Sequence, residues 1–307
     1  MARLSHLMPE TDLPAKPVTP SRRRVFASRL ISTVILWTVI VVAFVFQKEW
    51  LVLSVCGFLG LAGVAEYARL TRCAGGMGLY DALLVLVALA WWSVAGFWTM
   101  KHHTEPPLWL DLGALVLVVH GSFLICLRKS LDGMHTLQRI FITIFGGVYA
   151  VVFFGFVLRL MYFRSTGQGM TGMHIALFLI MVTKFSDMGA YAVGVLFGRH
   201  KMIPHISPAK SWEGFVGAFL GSFTAAAVLM ALMPEKLAPL TWTHALLIAP
   251  VLCVVAVVGD LAESVLKRCT AIKDSGHTLP GIGGILDLTD SLIFTAPVFY
   301  FYLMAVG

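Results

Sequence analysis

Asp260, Glu263, Ser264 and Lys267 recur at intervals of three and four residues, and Asp287, Asp290 and Ser291 repeat that spacing further along the chain. On a helix these intervals bring side chains onto one face. Four carboxylates at the ends of apolar segments repel one another unless a cation neutralises them. Hard oxygen donors so spaced suit Mg²⁺, which takes one or two carboxylates and leaves room for water and substrate phosphate. Asp260, Glu263, Asp287 and Asp290 are therefore the candidate metal ligands. Between the two groups lie Lys273 and Asp274, then Gly281, Gly283 and Gly284, where backbone N–H groups could approach a phosphate. Either Asp287 or Asp290 alone would read as ordinary helix capping. Capping does not account for the whole set.

A second polar stretch comes earlier. Lys184 and Asp187 share a helical face inside an apolar run, either as a structural ion pair or as part of a site, since ionisable groups within a span usually mark one. The following segment, 199–214, reads as a loop because Pro204 and Pro208 break helix. It carries Ser207, Lys210 and Ser211, residue types that bind phosphate.

These residues need a frame, and composition supplies it. Of the 307 residues, 58% are hydrophobic and only 13% charged, with a mean hydropathy of +0.85. A soluble domain carries about a quarter charged residues, so this chain has too little polar surface to cover a water-soluble globule. With about 20 apolar residues needed per crossing, nine spans are expected: 30–46, 51–68, 79–99, 108–127, 141–163, 173–198, 213–233, 242–259 and 288–306. The fold expected is an all-α, polytopic membrane protein. Residues 1–29, with Arg22-Arg23-Arg24 and the prolines Pro14, Pro17 and Pro20, read as a basic, disordered cytoplasmic tail. Residues 30–307 form a single membrane domain whose site is built mainly by 180–307. With the N-terminus inside, 17 of the 23 lysines and arginines fall in inside segments, five fall outside and Lys184 sits within a span. That bias sets the orientation as N-terminus cytoplasmic. It also accounts for the net charge of +7 without any nucleic-acid partner. The five cysteines show no CxxC pairing and read as packing residues.

The run S-V-L-K-R-C-T-A-I-K-D-S-G followed by P-G-I-G-G-I-L-D-L-T-D-S resembles the signature of the phosphatidate cytidylyltransferases, or CDP-diacylglycerol synthases. The earlier blocks D-M-G-A-Y, G-R-H-K and S-P-A-K-S-W-E-G resemble a second region of the same family. The likeness is specific over 180–307 and general before it. The family commonly shows PGHGG and LDR-x-D where this chain has Ile282 and Leu288, so those two family side chains have no counterpart here. The resemblance implies transfer of the cytidylyl group of CTP to phosphatidate at a bilayer surface, with Mg²⁺, two cations per site, and a homodimer. Its setting would be the bacterial inner membrane with the site facing the cytoplasm.

Within that reading the catalytic residues expected are Lys210, Lys267, Asp260 and Asp287. Asp260 and Asp287 would touch metal directly, with Glu263 and Asp290 as ligands or as supports behind them. Ser207, Lys210, Ser211, Ser264, Arg268, Lys273, Asp274, Gly283 and Gly284 would bind the substrates. Two other functions compete. One is a transporter using Lys184, Asp187 and Asp260 as a charged path; the other is a nucleotide-dependent lipid kinase.

Overall fold

Hydrocarbon offers no partner to a backbone N–H or C=O, so a chain this apolar must satisfy its backbone within helices. The computed structural model describes residues 48–72, 78–128, 130–164, 172–270, 276 and 283–306, with the single positions 38, 42 and 46. Helix α1 covers Glu49–Arg72, α2 Gly78–His102, α3 Leu108–Leu127 and α4 Gly133–Gly146. A π-helical segment, Gly147–Phe153, joins α4 directly to α5, Phe154–Met161. Helix α6 (Met173–Phe197) leads into strands β1 (Lys201–Ile203) and β2 (Ser207–Ser211), and then come α7 (Trp212–Leu232), α8 (Trp242–Cys269) and α9 (Ile285–Val306).

Counting Gly133–Met161 as one, eight of these stretches are long and apolar enough to cross a membrane. The protein is an all-α, polytopic membrane protein. The expected first span, 30–46, and the tail 1–29 lie outside the described residues, apart from positions 38, 42 and 46.

Two expectations change. Helix α8 runs to Cys269, well past the expected end at 259, because charge ends a hydropathy run without ending a helix. Lys267 and Arg268 in its last turn favour the C-terminal end of the helix dipole. The segment read as a loop over 199–214 contains a hairpin instead: β1 and β2 pair antiparallel, Lys201 opposite Ser211 and Ile203 opposite Ser207. Pro208 is tolerated because a two-stranded ribbon has two edges.

The hairpin returns the chain so that α6 and α7 run antiparallel in close contact. Small residues make that approach possible. A Cβ at Gly189 would stand 2.2 Å from the carbonyl oxygen of Gly217, and one at Gly217 would stand 2.4 Å from that of Gly189. Both obstacles are backbone, so neither can swing aside. Gly217→Ala should therefore destabilise the protein by about 1–3 kcal/mol through overpacking, seen as a lowered melting temperature in detergent. An unchanged melting temperature would mean that these helices are not so tightly apposed.

Helix α9 is the hub, in contact with α1, α5, α6 and α8. It buries Ile285, Leu286, Leu292, Ile293, Ala296, Phe299, Tyr300 and Leu303. At the far end of the bundle, buried Arg159 pairs with Asp111 and donates to the carbonyls of Pro106 and Pro107. Trp91 Nε1 donates to Asp111 at 2.9 Å, and the Tyr300 hydroxyl donates to Glu105 at 2.9 Å. That knot anchors one end. The opposite end, where α6 and α8 finish and α7 and α9 begin, holds the acids.

Candidate active site

A cavity of about 400 Å³ opens at that end, lined by residues of α6, β1, β2, α7, α8 and α9. This is within the range of small-ligand sites, roughly 300–1,000 Å³. Helix geometry places Asp260, Glu263 and Lys267 on the face of α8 turned to the cavity, while the first turn of α9 contributes Asp287 and Asp290. Lys210 enters from β2, and Asp187 from α6. Five carboxylates thus meet three ammonium groups, counting Lys184 beside Asp187.

Each lysine is bound to a carboxylate. Lys210 Nζ lies 2.7 Å from Asp260 Oδ2 and donates to the Val257 carbonyl at 3.2 Å. Lys267 Nζ bridges two helices, 2.8 Å from Glu263 Oε2 and 2.7 Å from Asp287 Oδ1. Lys184 Nζ lies 3.3 Å from Asp187 Oδ2 and donates to the Leu288 carbonyl at 2.8 Å and Ser291 Oγ at 3.1 Å. Ser291 Oγ in turn donates to Asp187 Oδ2 at 3.3 Å.

Asp260, Glu263 and Asp290 offer oxygens that all lie within 4.8 Å of one another. Glu263 is 1% exposed, and its Oε1 has no hydrogen-bond partner among the described residues. A buried carboxylate oxygen left alone is costly. Three oxygen donors around such an atom fit a hard divalent cation such as Mg²⁺. Asp287 is not in that trio. Its Oδ1 takes the Lys267 ammonium, and its Oδ2 accepts the Gly284 N–H at 2.8 Å.

The remaining expected residues divide. Ser211 lines the cavity, yet its Oγ also caps α7 by accepting the Gly214 N–H at 3.1 Å. Ser207, Ser264 and Arg268 are not among the described lining residues, and Arg268 donates to the Ile206 carbonyl in the hairpin turn at 3.2 Å. Gly283 and Gly284 serve Asp287. Gly283 has φ +120°, and a Cβ there would stand 2.7 Å from Asp287 Oδ2, so only glycine fits. Lys273, Asp274 and Ile282 lie outside the described residues. Asp187, ambiguous in sequence, proves to be part of the cavity wall.

Comparison with known proteins adds a second line. A protein of Escherichia coli (strain K12) named Uncharacterized protein YnbB is 34% identical over 64% of this chain and 62% of its own length. A phosphatidate cytidylyltransferase of Mycobacterium bovis is 39% identical over 50% of this chain and 47% of its own. One of Haemophilus influenzae is 29% identical over 72% of this chain and 68% of its own. The chain thus spans about half to two thirds of the length of these curated relatives. The sequence pattern of the cytidylyltransferase family matches residues 27–306, nearly the full length, including every described residue of the cavity. The chain belongs to the cytidylyltransferase family.

Proposed function

We propose that the protein transfers the cytidylyl group of CTP to phosphatidate, giving CDP-diacylglycerol and pyrophosphate. One observation carries the reading: five carboxylates and two lysines line a cavity at the helix ends, three of the acids close enough to share a cation, where a lipid headgroup and a water-soluble triphosphate can meet. A phosphatidate oxygen attacks the α-phosphorus of CTP, and the bond from that phosphorus to the bridging oxygen breaks, with the electron pair leaving on pyrophosphate. The attacking oxygen is already ionised near neutral pH, so no general base is required. What the protein must supply is position and charge.

Lys210 and Lys267 are the cations placed to hold phosphate oxygens; either can exchange a carboxylate partner for a substrate oxygen without entering a less polar environment. Asp287 and Glu263 hold the Lys267 ammonium in place. Ser211 fixes the start of α7 and with it the hairpin wall bearing Lys210. Mg²⁺, when bound, would be held by Asp260, Glu263 and Asp290 and would neutralise triphosphate charge. The lysine and arginine bias supports a cytoplasmic position for this end of the bundle, where CTP is available. A bacterial inner-membrane location and a homodimer complete the reading.

The test is turnover of the detergent-solubilised protein with CTP labelled at the α-phosphate and phosphatidate, with and without Mg²⁺. The expected result is Mg²⁺-dependent label in the lipid phase with pyrophosphate released. Transfer of the γ-phosphate, leaving CDP, would mark a lipid kinase instead. No transfer by a folded sample would overturn the proposal.

A further inference from the structure

Glu66 lies in α1, far in sequence from the acids, and is 1% exposed. A carboxylate this deep inside an apolar bundle needs strong partners. Its Oε2 accepts the backbone N–H of Leu286 at 2.8 Å, across 220 residues of chain. Leu286 is the second residue of α9, and the residue before that helix is Gly284. The first N–H groups of a helix have no intrahelical acceptor and usually take one from a side chain at the N-cap. Glycine has no such side chain. Asp287 supplies half of a capping box by accepting the Gly284 N–H, but that bond satisfies the Gly284 donor and leaves the Leu286 donor open. Glu66 fills the gap from another helix. Gly276 also lies close against the carboxylate, since a Cβ there would stand 2.5 Å from Glu66 Oε1.

We propose that Glu66 is a positioning residue that caps α9 from α1 and thereby sets the height of Asp287 and Asp290 against Asp260 and Glu263. The inference rests on the reading of Asp260, Glu263 and Asp290 as a cation site. A capping bond at Leu286 fixes the first turn of α9 along its axis, and Asp290 is four residues on, one turn deeper. Without the bond the turn can fray or slide, and the compact trio opens. Groups that orient metal ligands typically matter by about 10–100-fold in metal affinity.

The experiment titrates the detergent-solubilised full chain with Mn²⁺, followed by electron paramagnetic resonance, and measures turnover beside it. Three variants separate the acceptor from the charge. Glu66→Gln keeps the length and an acceptor oxygen without charge; Glu66→Asp keeps the charge but falls one methylene short; Glu66→Ala has neither. Capping predicts Mn²⁺ affinity within about threefold of wild type for Gln, and a loss of about tenfold or more for Asp and Ala, with kcat falling in the same order. The reverse order, Asp near wild type and Gln impaired, would overturn capping in favour of a charge role. Wild-type Mn²⁺ affinity in all three would overturn it outright. If Ala does not fold, the contrast between Gln and Asp still decides. Because Mn²⁺ binding is read without substrate, the outcome stands apart from the proposed reaction: a wild-type protein that binds Mn²⁺ but transfers no cytidylyl group would defeat that reading alone.

Discussion

Asp260→Asn should reduce turnover on the order of 10²–10³-fold while the protein melts within about 3 °C of wild type. The two halves of that expectation have separate causes. The Asp260 side chain is 42% exposed and its pair with Lys210 is 2.7 Å long; ion pairs this open to solvent contribute at most about 1 kcal/mol, which moves a melting temperature by only a few degrees. The chemistry is affected far more. Asp260 contributes one of three clustered oxygens, so the amide should raise the Mg²⁺ concentration needed for half-maximal rate and weaken Mn²⁺ binding in the absence of substrate. Asp287→Asn makes the informative contrast. Because Asp287 is committed to Lys267 and the Gly284 N–H, its amide should lower kcat with much less effect on Mn²⁺ affinity. Equal Mn²⁺ defects in the two variants would return Asp287 to direct metal contact and break the trio as drawn.

The contrast also shows what the sequence could reveal. Spacing along one helix is a local property, so the grouping of Asp260 with Glu263 and Lys267, and of Asp287 with Asp290, was legible from intervals alone. The division of labour among them was not. That Lys267 takes Asp287 while Asp290 joins Asp260 and Glu263 depends on the rotation of α9 against α8, which no interval encodes. Lys184 and Asp187 stayed ambiguous for the same reason: their other partners, Leu288 and Ser291, are more than 100 residues away. The hairpin is not legible because strands of three and five residues, the second containing Pro208, carry no alternation long enough to mark them. Glu66 is hidden inside the apolar run 51–68, which absorbs one charge without losing its hydropathy. The signal that could have raised it was an acid within a span; only the fold names its partner.

Lys267→Met should lose both activity and stability, and a second substitution should separate the two. Methionine keeps most of the aliphatic stem and removes the charge. Lys267 is 17% exposed, Glu263 1% and Asp287 19%, so two carboxylates from different helices would be left facing each other with little water to screen them. Breaking a buried pair by removing one partner costs about 3–5 kcal/mol. The partial exposure of Lys267 and Asp287 favours the lower end, about 3 kcal/mol, and a melting temperature lower by on the order of 10 °C. Turnover should fall on the order of 10²–10³-fold, because the ammonium that would hold a substrate phosphate is gone. Adding Glu263→Gln removes one of the two stranded charges, so the double variant should recover a large part of the lost melting temperature. It should recover none of the activity, since it lacks both the phosphate-holding cation and one oxygen of the trio. Recovery of turnover together with stability would mean that Lys267 acts only as an interhelical brace. A melting temperature unmoved in the single variant would mean that the Glu263–Lys267–Asp287 bridge does not hold α8 to α9.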